Sequence, residues 1–238
     1  MLVICSCSKT TIDTQTYSTY KDYLSINVGD SYLYRLDSVA LLSFGTDTVT
    51  RTYYRKDSVI SASLDGENNT TYRIYTYLKP FTSSSNSWVY LNAYNITLDS
   101  TNLQLVDENN LRFIKLSNPI TVEHSWDGDA YFTIGTSASS SFSDPADVYI
   151  NYQSQWSYQY TDLNTAQTFY DQSYNNTITV NEIDYTEGSM SSYYTRLYSS
   201  ESYAKGLGLI HRKFLFLNWQ TSSDYSTYSY GIELTRIQ

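Results

Sequence analysis

Apolar and polar side chains alternate with a period of two through most of this sequence, and that pattern confines the chain to extended strands. It is plain in Ser31-Tyr32-Leu33-Tyr34-Arg35-Leu36-Asp37-Ser38-Val39, which follows the turn signal Val28-Gly29-Asp30. Successive strand side chains point to opposite faces, so such a run suits an antiparallel sheet with one face packed and one wet. The residue types agree. The chain has 27 Tyr against 8 Phe, and Thr, Ser and Asn crowd the same segments. Tyr and Thr fit a pleated surface on which the ring or methyl packs while the hydroxyl reaches water.

The same pattern recurs along the chain. Residues 49–59 and 71–78 flank Asp65-Gly66-Glu67-Asn68-Asn69, a hairpin turn signal, and 103–106 and 111–116 flank Asp107-Glu108-Asn109-Asn110, another. Residues 88–94, 148–152, 156–160, 177–180, 207–217 and 229–237 read as further strands, with 191–198 a strand or a short amphipathic helix. Pro119 favours a bend or sheet edge. Gly206-x-Gly208 lacks the third glycine and the following helix of a dinucleotide fingerprint, and reads as backbone relief where a strand bends or another backbone comes close. Strands without helical intervals predict an all-β fold with little helix. The expected form is an antiparallel meander making a curved sheet, half-barrel or barrel, with a β-sandwich as the alternative. No linker cuts the chain, so residues 25–238 form one β domain, preceded by a tether over 8–24.

Both cysteines, Cys5 and Cys7, stand at the amino end. The run Leu2-Val3-Ile4-Cys5-Ser6-Cys7 has the shape of a bacterial lipobox, with an aliphatic residue, a small residue and then the lipidated cysteine. Residues 1–7 are therefore expected to be the end of a shortened signal peptide, its apolar stretch being briefer than export requires. Acyl chains on Cys7 would hold the protein on a membrane, on the periplasmic or cell-surface side of an outer membrane.

Several blocks resemble uncharacterised envelope lipoproteins of Bacteroidota-type bacteria. They are Ser6-Cys7-Ser8-Lys9, the run 29–39, Asp107-Glu108-Asn109-Asn110-Leu111-Arg112 through Pro119, and the run 203–214 with its Gly-x-Gly strand. The last is also similar to strands of lipoprotein-carrier-like half-barrels. The resemblance implies an envelope location and a curved sheet, and no activity.

A net charge of -9 argues against nucleic acid, whose phosphates need concentrated Lys and Arg. His124 and His211 show no metal-ligand spacing, and no metal or cofactor is expected. No nucleophile elbow is present. Glu108, Glu123, Asp127 and Asp129 could supply paired carboxylates or calcium ligands, yet most fall at turns, where such residues bond backbone amides. The chain is accordingly expected not to be an enzyme. Its abundant chemical resource is aromatic: Trp88, Tyr90 and Tyr94 share parity on one strand, and Trp156, Tyr158 and Tyr160 on another. Wet, these faces would form a platform for a glycan, lipid or other apolar ligand; dry, they are core, and the dry alternative is the commoner one. The expected function is a lipid-anchored binding module, with a structural part in a surface protein complex as the alternative and a hydrolase of envelope polymers less favoured.

Overall fold

The computed structural model describes residues 17–42, 47–82, 87–107, 109–132, 145–189, 191–220, 224–225 and 229–238. The expected lipobox over 1–7, Cys7 included, and the first half of the expected tether lie outside these residues.

Among the described residues thirteen strands form one antiparallel sheet. The first meander contains β1 (Ser31–Leu42), β2 (Asp47–Leu64), β3 (Thr70–Pro80), β4 (Val89–Leu98), β5 (Asn102–Val106) and β6 (Arg112–Ser117). The second contains β7 (Ser125–Trp126), β8 (Tyr158–Phe169), β9 (Gln172–Ser189), β10 (Tyr193–Ala204), β11 (Gly208–Gln220), β12 (Asp224–Tyr225) and β13 (Tyr230–Arg236). The two halves join through β1 and β13, giving the order β6-β5-β4-β3-β2-β1-β13-β11-β10-β9-β8-β7, with β12 on β11.

The outer ends of this sheet curl toward each other into a nearly closed barrel. Ile114 N–H in β6 donates to Gly128 O at 2.7 Å, and Trp126 Nε1 in β7 donates to Ile114 O at 2.8 Å. Tyr160 of β8 secures the same seam, because its hydroxyl accepts from Ser117 N–H at 3.0 Å and donates to Ser117 O at 2.7 Å. The all-β, antiparallel, curved architecture is as the alternation predicts, in its barrel form.

The turns follow their sequence signals. Asp65 caps the β2–β3 hairpin by accepting backbone N–H bonds from Glu67 and Asn69 at 2.8 and 2.9 Å. Asp107 does the same at the β5–β6 turn for Asn109 and Leu111. Gly206 and Gly208 sit at the β10–β11 turn with φ of +73° and +88°, a conformation that glycine adopts freely. A Cβ at either would meet nothing within 4 Å, so positive φ is the reason for these glycines, rather than close approach of another backbone.

Two expectations are corrected. Residues 145–151 form a short helix, α1 (Pro145–Asn151), where a strand over 148–152 was expected. Proline is favoured in the first helical turn, and the helix places Val148 and Tyr149 in the core. The tether is also shorter than 8–24. Tyr20–Tyr23 is a 3-10 turn, started by Thr19 N–H donating to the Asp22 carboxylate at 2.8 Å, and it buries Tyr20 and Tyr23 completely.

The core is aromatic. Tyr20, Tyr23, Trp156, Tyr158, Tyr160, Phe214 and Phe216 pack with Leu116, Ile178, Val180 and Leu197. Two tyrosine hydroxyls that were expected to reach water end on backbone carbonyls instead: Tyr34 donates to Leu209 O at 3.3 Å and Tyr20 to Asp99 O. Each such ring contributes roughly 1.5–3 kcal/mol by burial.

Gly128 lies hard against this core, since a Cβ there would fall 2.2 Å from the Tyr158 ring. Gly128→Ala should therefore destabilise the protein by about 1–3 kcal/mol through overpacking at the seam. Urea melts of parent and variant check this, and superimposable curves would show that Tyr158 can move aside.

Candidate functional site

Charges gather at two places inside the barrel. At the seam, Lys115 Nζ of β6 donates to Glu182 Oε1 at 2.6 Å and Glu201 Oε1 at 2.8 Å, with all three side chains at most 4% exposed. Arg212 of β11 stands 3.4 Å from Glu201 Oε1 and donates to the Tyr149 hydroxyl at 3.1 Å. A bulge delivers Glu182, for β9 pairs Asn181 with Ser200 and Ile183 with Ser199, leaving Glu182 as the extra residue. Burial pulls the pKa of Lys115 down, but the two carboxylates outweigh it and the ammonium is held above its usual range. Burial raises Glu182 and prevails there; at Glu201 the nearby Lys115 and Arg212 win, and its pKa is lowered.

Carboxylates pushed apart in this way can mark an acid and a base. Here each of the four oxygens already accepts a bond from a protein donor. Glu182 Oε2 accepts from Ser199 Oγ at 2.6 Å, and Glu201 Oε2 accepts from the Tyr203 hydroxyl. The four charges also sum to zero. This cluster closes the barrel.

The second interior group is Arg55–Asp57. Both Asp57 oxygens take a guanidinium bond at 2.8 Å, and they also accept from Thr76 Oγ1 and the Tyr94 hydroxyl at 3.0 Å. Tyr94 is thus a structural donor inside the barrel. Trp156, Tyr158 and Tyr160 are core residues, at 6%, 0% and 1% exposure. The dry alternative holds for these four of the six aromatic candidates.

Trp88 and Tyr90 go the other way. Thr76 pairs with Asn92 but Tyr77 pairs with Tyr90, so Leu91 is an extra residue that turns the start of β4 over. Tyr90 then faces outward, half exposed. It meets Tyr75 and Tyr77 edge-on, at centroid separations of 5.5 and 5.9 Å. From there an unbroken ribbon of rings and cations crosses the outer face of β1–β4. Lys56 Nζ lies 5.1 Å from the Tyr77 ring and 4.8 Å from Trp88. Lys79 Nζ lies 5.3 Å from Trp88 and 5.1 Å from Tyr54. Tyr54 stacks on Phe81 at 4.5 Å, and the Arg35 guanidinium sits between Phe81 and Tyr170 at 5.3 and 4.5 Å. At this end Arg35, Tyr54, Phe81, Tyr170, Asp171, Gln172 and Ile237 line an open groove of about 190 Å³. Register builds the ribbon, since Arg35 pairs with Tyr54, Tyr54 with Lys79, and Lys56 with Tyr77.

Other candidates stay apart. His211 stacks on Phe169 at 4.0 Å and contacts Glu233 Oε1 at 3.1 Å; His124 stacks on Trp126. His124 Nε2 is 3.5 Å from Ser117 Oγ, a contact at the limit of a hydrogen bond, and burial lowers the pKa of this histidine. Glu123 is exposed on a turn and Glu108 lies outside the described residues. Burial, and then the Asp127 carboxylate, push Asp129 up to about 7. Among the described residues no three His, Cys, Asp or Glu side chains gather to hold a metal. Sequence reasoning missed the cations of the ribbon because their ring partners lie on neighbouring strands.

No family model matches the sequence, and no curated protein does. Among solved structures, a chain from Bacteroides fragilis NCTC 9343 called a "putative exported protein with YmcC-like fold" is similar over 89% of this chain and 96% of its own. The sequence identity is 10% and the TM-score 0.36, and at that score the likeness carries no argument.

The Lys115 cluster gives a direct test. Lys115→Met should destabilise the barrel by about 3–5 kcal/mol, because it leaves Glu182 and Glu201 buried without their shared cation. Denaturant midpoints measure this, and a loss under about 1 kcal/mol would mean that water reaches the cluster.

Proposed function

We propose that this protein is a non-enzymatic binding module of the bacterial envelope that holds a glycan on the outer face of its barrel. The observation that carries this reading is the ribbon from Tyr90 to Tyr170. It alternates rings and cations across neighbouring strands, which lie about 4.8 Å apart, and sugar rings present C–H faces that pack on aromatic faces. A ligand enclosed in the barrel is disfavoured, because aromatic side chains and paired charges occupy the described interior. An acyl anchor on Cys7, after Ile4-Cys5-Ser6, would keep the module at a membrane surface.

The double variant Trp88→Ala/Tyr90→Ala should weaken glycan binding by at least about tenfold, equal to ~1.4 kcal/mol, with little change in the melt. A glycan array followed by calorimetry on the best binder tests this, and undiminished binding by the variant would remove the ribbon as the site. For the anchor, labelled palmitate fed to the native host should enter the parent protein and not Cys7→Ser; an unlabelled parent would dispose of it.

Val89, Tyr90 and Leu91 are consecutive and at least half exposed, which favours a second reading, docking onto another envelope protein. A partner co-purifying with the parent and lost from Leu91→Ser would support it.

A further inference from the structure

The ribbon carries charge as well as rings, and this deepens the proposed reading by naming the class of glycan. The chain has a net charge of -9, yet Arg35, Lys56, Lys79 and Arg73 stand together along one strip of its surface. Arg35 is matched by a bidentate bond to Asp37, at 2.7 and 3.1 Å. Lys56, Lys79 and Arg73 make no ion pair among the described residues. Lys56 and Lys79 instead lie against the same Trp88 ring, and Arg73 reaches the Tyr75 ring and Asn95 Oδ1.

An ammonium lying against a half-buried surface ring is only weakly held there and stays open to a carboxylate in water. Two ammoniums converging on one indole repel each other, and an anion placed between them relieves that repulsion. The rest of the acidic surface repels a polyanion, so the strip is the place where such a polymer can settle.

We propose that the ribbon binds an acidic polysaccharide, a chain bearing carboxylates on its sugars, laid across β1–β4. Lys56, Lys79 and Arg73 pair with carboxylates, and Trp88, Tyr77 and Tyr90 pack against sugar faces between them. The inference rests on the glycan-binding reading above.

The test uses the full chain, with polygalacturonate and the same polymer after carboxyl reduction, compared by affinity electrophoresis and calorimetry at low and high salt. Polygalacturonate should bind at least about tenfold tighter than its neutral form, equal to ~1.4 kcal/mol, and lose affinity as salt rises. Lys56→Gln/Lys79→Gln should abolish that preference while keeping the melt. Lys21→Gln/Lys213→Gln, with the same change of net charge away from the ribbon, should keep the preference. Equal binding of both polymers, dependent on Trp88 and Tyr90, would overturn the acidic assignment and leave the glycan reading standing. Binding of neither polymer, with tight binding of anionic lipid vesicles or an acidic peptide, would overturn both. A preference that survives Lys56→Gln/Lys79→Gln would overturn the location.

Discussion

The barrel depends on one buried cation. Lys115 belongs to β6, which would otherwise be an unpaired edge at the end of the first meander, and it reaches carboxylates on two strands of the second. Burying three charges is costly, and the arrangement adds little net stability over a well-packed apolar one. Its effect is on choice. A slip of β6 by one residue would turn Lys115 outward and strand Glu182 and Glu201 in the interior, so only one register closes the seam. The Ile114–Gly128 and Tyr160–Ser117 bonds then fall into place on either side of it.

The parts of this fold that were legible in the sequence are those governed by local chemistry. Asp65 and Asp107 announced their turns because a carboxylate that bonds the next few amides needs no distant partner. Most strands were legible because Tyr, Thr and Val favour a pleated backbone. Helix α1 was not, since Val148, Tyr149 and Tyr152 suit either period; Pro145 was the available sign. Tyr20 and Tyr23 were hidden in a polar stretch, where only the Thr19-to-Asp22 spacing hinted at a turn.

The candidate site was legible in part, for a similar reason. Parity assigns faces only along an unbroken strand, and the extra residue Leu91 reverses the face between Tyr90 and Tyr94. The same device, at Glu182, turns a charge inward. Neither bulge leaves a mark in composition. Lys56, Lys79 and Arg35 look like ordinary wet-face residues until pairing sets each beside a ring, and the ribbon is therefore a property of register more than of any one segment.

The joining of β1 to β13 has a consequence for how the protein comes into being. These neighbours lie at opposite ends of the described chain, with Tyr34 beside Arg236. Until the last strand emerges from the ribosome, β1 has one ladder open and the two meanders can meet only at the Lys115 seam. Completing the sheet must wait for the carboxyl-terminal strand, and a pairing across so wide a sequence separation makes folding slow. Any product that stops short of Tyr230 leaves its first strand as a sticky edge and is material for proteases or aggregates.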